Sequence, residues 1–337
     1  MESDTWRVLE LFSGIGGMHE ALKESRAKFT VIAAVDINTI ANDVYLENYP
    51  ETQVWNRNIQ SLEEAEIASL DVDTIVMSPP CQPFTRVGKK QDLDDRRTDG
   101  FIAVCANLLK NPKIERILME NVKGFEESRA RQMFIEKLKH LGFFCREFLL
   151  SPHAVGIPNS RTRYYCIARK RKDFSVGHEN EIITELSANA IEMRDLKAFI
   201  DVEAAVEQHQ LPVESIGKNC WVLDIVTPSS KNSMCFTKAY THLLRGSGSV
   251  FCSKSAEEIR ETFSRLDKIP PDDNEYVRLL KSLQMRFFSP DEVSKLMGFS
   301  EGIKWPGKVT DRQKYKLLGN SLNVAVVREL INILEGQ

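Results

Sequence analysis

Two spacings of apolar residues alternate through the first half of the chain. Short apolar runs at Val8–Phe12, Thr30–Val35, Asp73–Met77 and Ile114–Met119 predict buried strands. Stretches at helical spacing near Gly17–Ser25, Ile40–Tyr49, Phe101–Leu109 and Ala130–Leu141 predict the helices between them. Two more strand-like runs follow at Phe143–Leu149 and Tyr164–Ala168. This strand–helix alternation predicts an α/β fold, a doubly wound sheet with helices on both faces.

The alternation stops after Arg169-Lys170-Arg171-Lys172, a basic run that reads either as a solvated strand end or as a contact for a nucleic-acid backbone. Residues 173–285 mix polar helical stretches with β-prone pieces at Cys220–Val226 and Met234–Tyr240, and Gly246-Ser247-Gly248-Ser249 reads as a turn or flexible loop. Near the end, Leu322, Val326, Leu330 and Leu334, flanked by Val327 and Ile331, give one broad apolar helical face, with Ser321 placed to cap its start. Such a helix needs a large core, so the chain is expected to return to its first domain. The predicted organisation is a larger domain from 1–172 plus 286–337 and a smaller one from 173–285.

Composition narrows the function classes. With 42% hydrophobic and 28% charged residues over 337 positions, the chain is expected to be globular. No run approaches the roughly 18 apolar residues of a membrane span, and the N-terminus shows no basic leader with an apolar stretch, so neither a membrane partner nor a signal peptide is expected. Forty-five basic against 48 acidic side chains exclude a uniform polycationic coat but leave room for a local basic groove. The seven cysteines form no C-x-x-C pair, which argues against a zinc site of the usual spacing and against a disulfide framework; no metal is expected.

Several constellations carry candidate chemistry. The loop Leu11-Phe12-Ser13-Gly14-Ile15-Gly16-Gly17 sits between a strand and a helix, where glycines let the backbone turn and approach a ligand. It lacks the Lys-Ser/Thr of a phosphate loop, and His19 replaces the last glycine of a dinucleotide fingerprint. Asp36 at the end of the next strand is placed to grip ribose hydroxyls, so a nucleoside cofactor without a pyrophosphate fits. In Pro79-Pro80-Cys81-Gln82-Pro83-Phe84 three prolines stiffen a thiol-bearing loop past a buried strand, where doubly wound folds place ligands. Cys81 there reads as a rigidly held nucleophile or as a free thiol in a turn. Glu120 ends another strand at the same edge and reads as an acid facing Cys81 or as a capping carboxylate. Arg161 and Arg163 share a face if the chain is extended, and suit a phosphate, a thiolate or a solvated turn.

Together these pieces resemble the cytosine carbon-5 methyltransferase family, in family order and over most of the chain. Phe12–Gly17 resembles its cofactor loop, Asp36 its ribose acid, Pro79-Pro80-Cys81-Gln82 its nucleophile loop and Glu120-Asn121-Val122 its Glu-Asn-Val motif. Arg161-Thr162-Arg163 resembles the end of its Gln-x-Arg-x-Arg segment, with Asn159 departing from the usual Gln, and Gly319-Asn320-Ser321 its closing Gly-Asn-Ser. Cys235-Phe236-Thr237 resembles the mark of one branch, the eukaryotic transfer-RNA aspartate methyltransferases, which are built like DNA methyltransferases.

The resemblance implies a fold of the S-adenosylmethionine-dependent Rossmann-like type with a small target-recognition domain. It implies methylation of cytosine 38 in the anticodon loop of aspartate tRNA, through a covalent Cys81 adduct at ring carbon-6. Glu120, Arg161 and Arg163 are the further catalytic residues it implies. Phe12, Ile15, Gly16, Gly17, Asp36, Ile37, Asn58, Ile59, Ser78, Asn320 and Ser321 would hold S-adenosylmethionine, and Gln82, Cys235, Phe236 and Thr237 the substrate. Duplex DNA is the alternative substrate, and an RNA-binding protein of weak activity the alternative class. The expected state is a monomer in the cytoplasm and nucleus.

Overall fold

The computed structural model describes residues 5–80, 95–186, 191–201 and 208–336. The strands are β1 (Trp6–Leu11), β2 (Phe29–Asp36), β3 (Gln53–Asn56), β4 (Thr74–Met77), β5 (Arg116–Val122), β6 (Phe144–Leu150), β7 (Arg163–Arg169), β8 (Ile182–Ile183), β9 (Ile225–Val226) and β10 (Val250–Phe251). The helices are α1 (Gly17–Glu24), α2 (Thr39–Asn48), α3 (Glu64–Ser69), α4 (Asp99–Ala106), α5 (Arg129–His140), α6 (Val213–Ile216), α7 (Ala256–Leu266), α8 (Asn274–Ser282), α9 (Pro290–Leu296), α10 (Asp311–Asn320) and α11 (Val324–Glu335). β1 to β8 form one mixed sheet in the order β3-β2-β1-β4-β5-β7-β6-β8.

Period-two alternation explains the two layers. Val8, Val76, Leu118 and Ile167 point into one apolar cluster, while Leu9, Ile75, Ile117 and Cys166 point into another on the opposite face. The first cluster contains the packed faces of α1 and α11, the second those of α4 and α5. The doubly wound α/β expectation therefore holds, with one element that periodicity does not encode: β7 runs antiparallel to both β5 and β6.

Beyond residue 172 the sheet gains one further short strand, β8, which pairs with β6. A separate apolar cluster then gathers Leu211, Val250, Tyr276, Leu280 and Met285. Met234–Tyr240 forms no strand: the Met234 amide donates to Ser249 Oγ and the Thr237 amide to the Ser247 carbonyl, so no ladder is available. Ser321 does not start the last helix. It closes α10, and Asn323 caps α11 by accepting from the Val326 amide at 3.1 Å.

The span from Asp311 to Glu335 matches a membrane helix in length and hydropathy, yet it is α10 and α11 broken by the caps just described. Val326, Val327, Leu330 and Ile331 of α11 are fully buried, and the helix packs on α1 and β7. The chain thus returns to its first core as the apolar face predicted.

Candidate active site

The carboxyl ends of β1, β2, β4 and β5 open onto a cavity of about 500 Å³. Its floor is the loop after β1. Gly16 adopts φ 85°, a left-handed conformation that costs an L side chain energy, and a Cβ there would stand 2.5 Å from the Tyr49 ring. The turn is closed by the Gly16 amide donating to the Ser13 carbonyl at 3.0 Å. Asp36 crosses from β2 to hold it, accepting from the Gly14 amide at 2.9 Å and from the Asn38 amide at 2.8 Å. Each carboxylate oxygen keeps a further lone pair for a ligand hydroxyl. Burial raises the Asp36 carboxyl above its ordinary range, against the lowering effect of these amides.

Two features leave this half of the cavity open to a ligand. Ser13 Oγ is buried in the lining with no hydrogen-bond partner among the described residues. Ile37 lines the cavity while 68% exposed, an apolar surface that a flat base would cover. Asn58 and Ile59 enter from the loop after β3, and Ser78 from the end of β4. Asn320 and Ser321 close the cavity from the end of α10, where a Cβ on Gly17 would meet Leu322 and Ser321 at 3.1 Å. Phe12, Ile15 and Gly17 also line it. Of the residues expected at the cofactor, Gly16 alone faces away, towards Tyr49 and Tyr45.

The antiparallel direction of β7 assembles the other half. Its register sets Arg163 opposite Val122 and Tyr165 opposite Glu120, so β7 begins where β5 ends. Arg163 Nε consequently lies 3.5 Å from Glu120 Oε1. Burial drives the Glu120 carboxyl above its ordinary range, and the guanidiniums of Arg163 and Arg161 offset part of that rise. The buried Asn121 side chain reaches back to the Pro79 carbonyl at 3.4 Å, tying β5 to the loop that carries Pro79 and Pro80 into the cavity wall. Cys81 and Gln82 lie outside the described residues; Cys81 directly follows Pro80.

Arg161 has a different place from Arg163. It is buried at 3% exposure, and its Nη1 donates to the Phe236 carbonyl at 3.0 Å and to Cys235 Sγ at 3.3 Å. Its Nη2 donates to the carbonyls of Gly319, at 3.1 Å, and Ser321. Arg161 therefore fastens the Cys235-Phe236-Thr237 segment to the end of α10. Burial pushes the Cys235 thiol up, but Arg161 and Arg163 outweigh it and leave the thiol below its ordinary value. Phe236 packs edge-on against Tyr240 and Phe288, and Thr237 lies beside Gly319. None of these three lines the main cavity. Asn159, at the unusual position, donates to Ser233 Oγ at 3.0 Å and to the Met234 carbonyl at 2.9 Å, which pins the same segment. Arg57 and Arg96, which the sequence did not single out, add cations to the wall. In the basic run, Arg169 is spent within the fold: it stacks 4.4 Å from the Phe174 ring and donates to the carbonyls of Lys172, Asp173 and Leu334.

A cavity at the carboxyl edge of a sheet with one antiparallel strand near its end is the arrangement of an enzyme of the methyltransferase class. Within it, the chain belongs to the family described as C-5 cytosine-specific DNA methylase, whose sequence model matches residues 6–335. A Spodoptera frugiperda tRNA (cytosine(38)-C(5))-methyltransferase is 45% identical over 329 residues, covering 97% of this chain and 98% of that protein. The Homo sapiens protein of the same name is 36% identical, again covering 97% of this chain and 98% of that one. A crystal structure of a Spodoptera frugiperda DNMT2 mutant superposes with a TM-score of 0.89 at 44% identity, covering 98% of this chain and 99% of that one.

Proposed function

We propose that this protein is an S-adenosylmethionine-dependent tRNA cytosine-5 methyltransferase acting on cytosine 38 in the anticodon loop of aspartate tRNA. The observation that carries the reading is the buried Glu120 carboxyl, raised by burial and held 3.5 Å from Arg163 at the wall to which Asn121 ties the Pro79-Pro80 loop. The near full-length relatives named as tRNA cytosine-38 methyltransferases support the substrate.

The donor residues fit S-adenosylmethionine: Asp36 would take ribose hydroxyls, Ile37 the adenine face, and the loop from Ser13 to Gly17 the methionine part. When bound, S-adenosylmethionine supplies an electrophilic methyl group. Cytosine carbon-5 is a poor nucleophile on its own. Addition of the Cys81 thiolate to carbon-6 moves the ring electrons onto carbon-5 and makes it nucleophilic. Glu120, whose carboxyl burial raises above its ordinary range, shares a proton with ring nitrogen-3 and offsets the charge that develops there. Arg163 holds that carboxyl in place and faces the base. After transfer, loss of the carbon-5 proton to a base expels Cys81 and restores the ring. A target in a loop is already partly unstacked, so extruding it costs less than flipping a base from a duplex.

The test is transfer of labelled methyl from S-adenosylmethionine to an aspartate tRNA transcript and to duplex DNA, each at two salt concentrations. Label in the RNA at cytosine 38 that disappears with Cys81→Ala is expected. Label in DNA with RNA blank would overturn the substrate, and label unaffected by Cys81→Ala would overturn the mechanism.

A further inference from the structure

α10 has a cavity at each end. Its last turn closes the cavity at the carboxyl edge, and its first turn borders a second, open groove of about 330 Å³. Arg312 and Tyr315 of the helix, Phe287, Gln208, His209 and His242 line that groove. The volume sits at the lower end for a small-ligand site. The chemistry combines aromatic surface, an amide and imidazoles that both donate and accept, and a guanidinium at the rim. Those are the groups that take a splayed-out nucleobase and its phosphate.

Two independent observations point the same way. Thr241, also in the lining, has φ 69°, a left-handed conformation that a β-branched residue rarely adopts and that clusters at functional sites. The first cavity carries the same mark in Phe12, at φ 54°. Arg312, Lys316 and Asn320 also fall four residues apart on α10, all exposed, so one stripe runs from the groove to the first cavity. Neither Arg312 nor Lys316 has an acidic partner among the described residues, whereas the rim carboxylate Asp311 is paired with Lys314 at 2.9 Å. Unpaired cations spaced along one helix face suit a phosphate backbone.

We infer that this groove binds one nucleotide of the RNA strand outside the target cytosine, with His209, His242 and Gln208 contacting its base and Arg312 its phosphate. From Asp311 to Asn320 the helix rises about 14 Å. At about 3.4 Å per stacked nucleotide, roughly four nucleotides cover that rise, from the groove to the Asn320 edge of the first cavity. The inference rests on the RNA substrate proposed above. It makes the groove a determinant of which loops are methylated, separate from the chemistry at Glu120.

The experiment uses the full chain and an RNA stem-loop with the target cytosine in its loop, compared with stem-loops carrying a single abasic residue at each other loop position. One abasic position is expected to weaken binding about tenfold, which is about 1.4 kcal/mol. His242→Ala and Gln208→Ala should weaken the intact RNA and, in the same measure, lose sensitivity to that abasic position. Both side chains are exposed, so unchanged melting temperatures verify the fold of the variants. Additive effects of variant and abasic residue, or no sensitive position besides the target, would overturn the inference. Absence of methyl transfer to any RNA by the wild-type protein would instead overturn the substrate reading, and the two failures are distinguishable.

Discussion

Arg161 donates to the carbonyl of Gly319 at 3.1 Å across 158 residues of sequence. The same guanidinium holds the Phe236 carbonyl at 3.0 Å, so one planar fork joins the segment before β7, the Cys235-Phe236-Thr237 loop and the end of α10. A lysine ammonium is a single point charge and cannot span both carbonyls. Arg161→Lys should therefore lower the unfolding free energy by about 2–4 kcal/mol, from buried acceptors left unpaired, and weaken methyl-donor binding as the cavity wall loosens. Thermal unfolding and donor titration check this. Native stability with normal donor affinity would assign the fork no structural role.

Glu120→Gln keeps the shape of the side chain and removes its titratable proton. Methyl transfer should fall by roughly 10²–10⁴, the usual contribution of a positioned acid, while donor affinity stays within a few-fold. Burial raises this carboxyl, so the wild-type protonated form persists above the ordinary range and is lost as pH rises through the raised value. The wild-type rate should carry a falling limb there that the Gln variant lacks, measured as single-turnover rate against pH.

Beneath the cofactor loop, Tyr45 donates to the buried Glu10 carboxyl at 2.7 Å and in turn pairs with His19 Nδ1 at 2.8 Å. Burial drives Glu10 up to about 8, and drives His19 down to about 4 with help from Lys23. A carboxyl raised on folding binds more protons in the native state, so its contribution to stability is lost as pH rises from the unfolded value near 4.5 to about 8. A depressed histidine acts the other way, and the native protein gains stability from about pH 4 to about 6.5. Between about 4.5 and 6.5 the two slopes oppose, and above 6.5 Glu10 acts alone. Glu10→Gln should therefore gain stability relative to wild type as pH rises from 4.5 to 8, by a few kcal/mol at the top of the range. Urea unfolding at three pH values measures it, and a pH-independent difference would contradict it.

Gly319 lies in the last turn of α10, where an exposed glycine would normally be improved by alanine by about 1 kcal/mol. Here a Cβ would run into the backbone of Thr237 and Lys238. Gly319→Ala should reverse the usual sign, lowering stability and spreading the segment that Arg161 clasps. Differential scanning calorimetry decides it, since a raised melting temperature would show that the loop moves freely.

Much of this architecture was legible in the residues because apolar periodicity is local. β1, β2, β4, β5 and the helices α1, α2, α4 and α5 fall close to their expected ranges for that reason, whereas the short β3 and α3 were not anticipated. The direction of β7 was not legible: Tyr164–Ala168 has the pattern of a buried strand in either orientation, and only the register with β5 brings Arg163 to Glu120. Motif order brought together Asp36, Ser78 and Asn320, which line one cavity from three distant segments. Spacing gave Arg161 and Arg163 one shared face, and both line the cavity and reach Cys235 Sγ; what spacing could not show is that Arg161 is a buried fork while Arg163 stands beside Glu120. Met234–Tyr240 misled because its β-prone residues are packed by Ser247, Ser249 and Arg161 rather than by a neighbouring strand.

The most direct measurement of the central claim is covalent trapping. The RNA stem-loop would carry 5-fluorocytosine at the target position, where fluorine replaces the proton whose loss releases the nucleophile. Incubated with S-adenosylmethionine, the wild-type chain should form a protein–RNA adduct that survives denaturing electrophoresis, with the RNA attached to the peptide containing Cys81. Cys81→Ala should form none. An adduct of equal yield in that variant, or attachment to any other residue, would contradict the account.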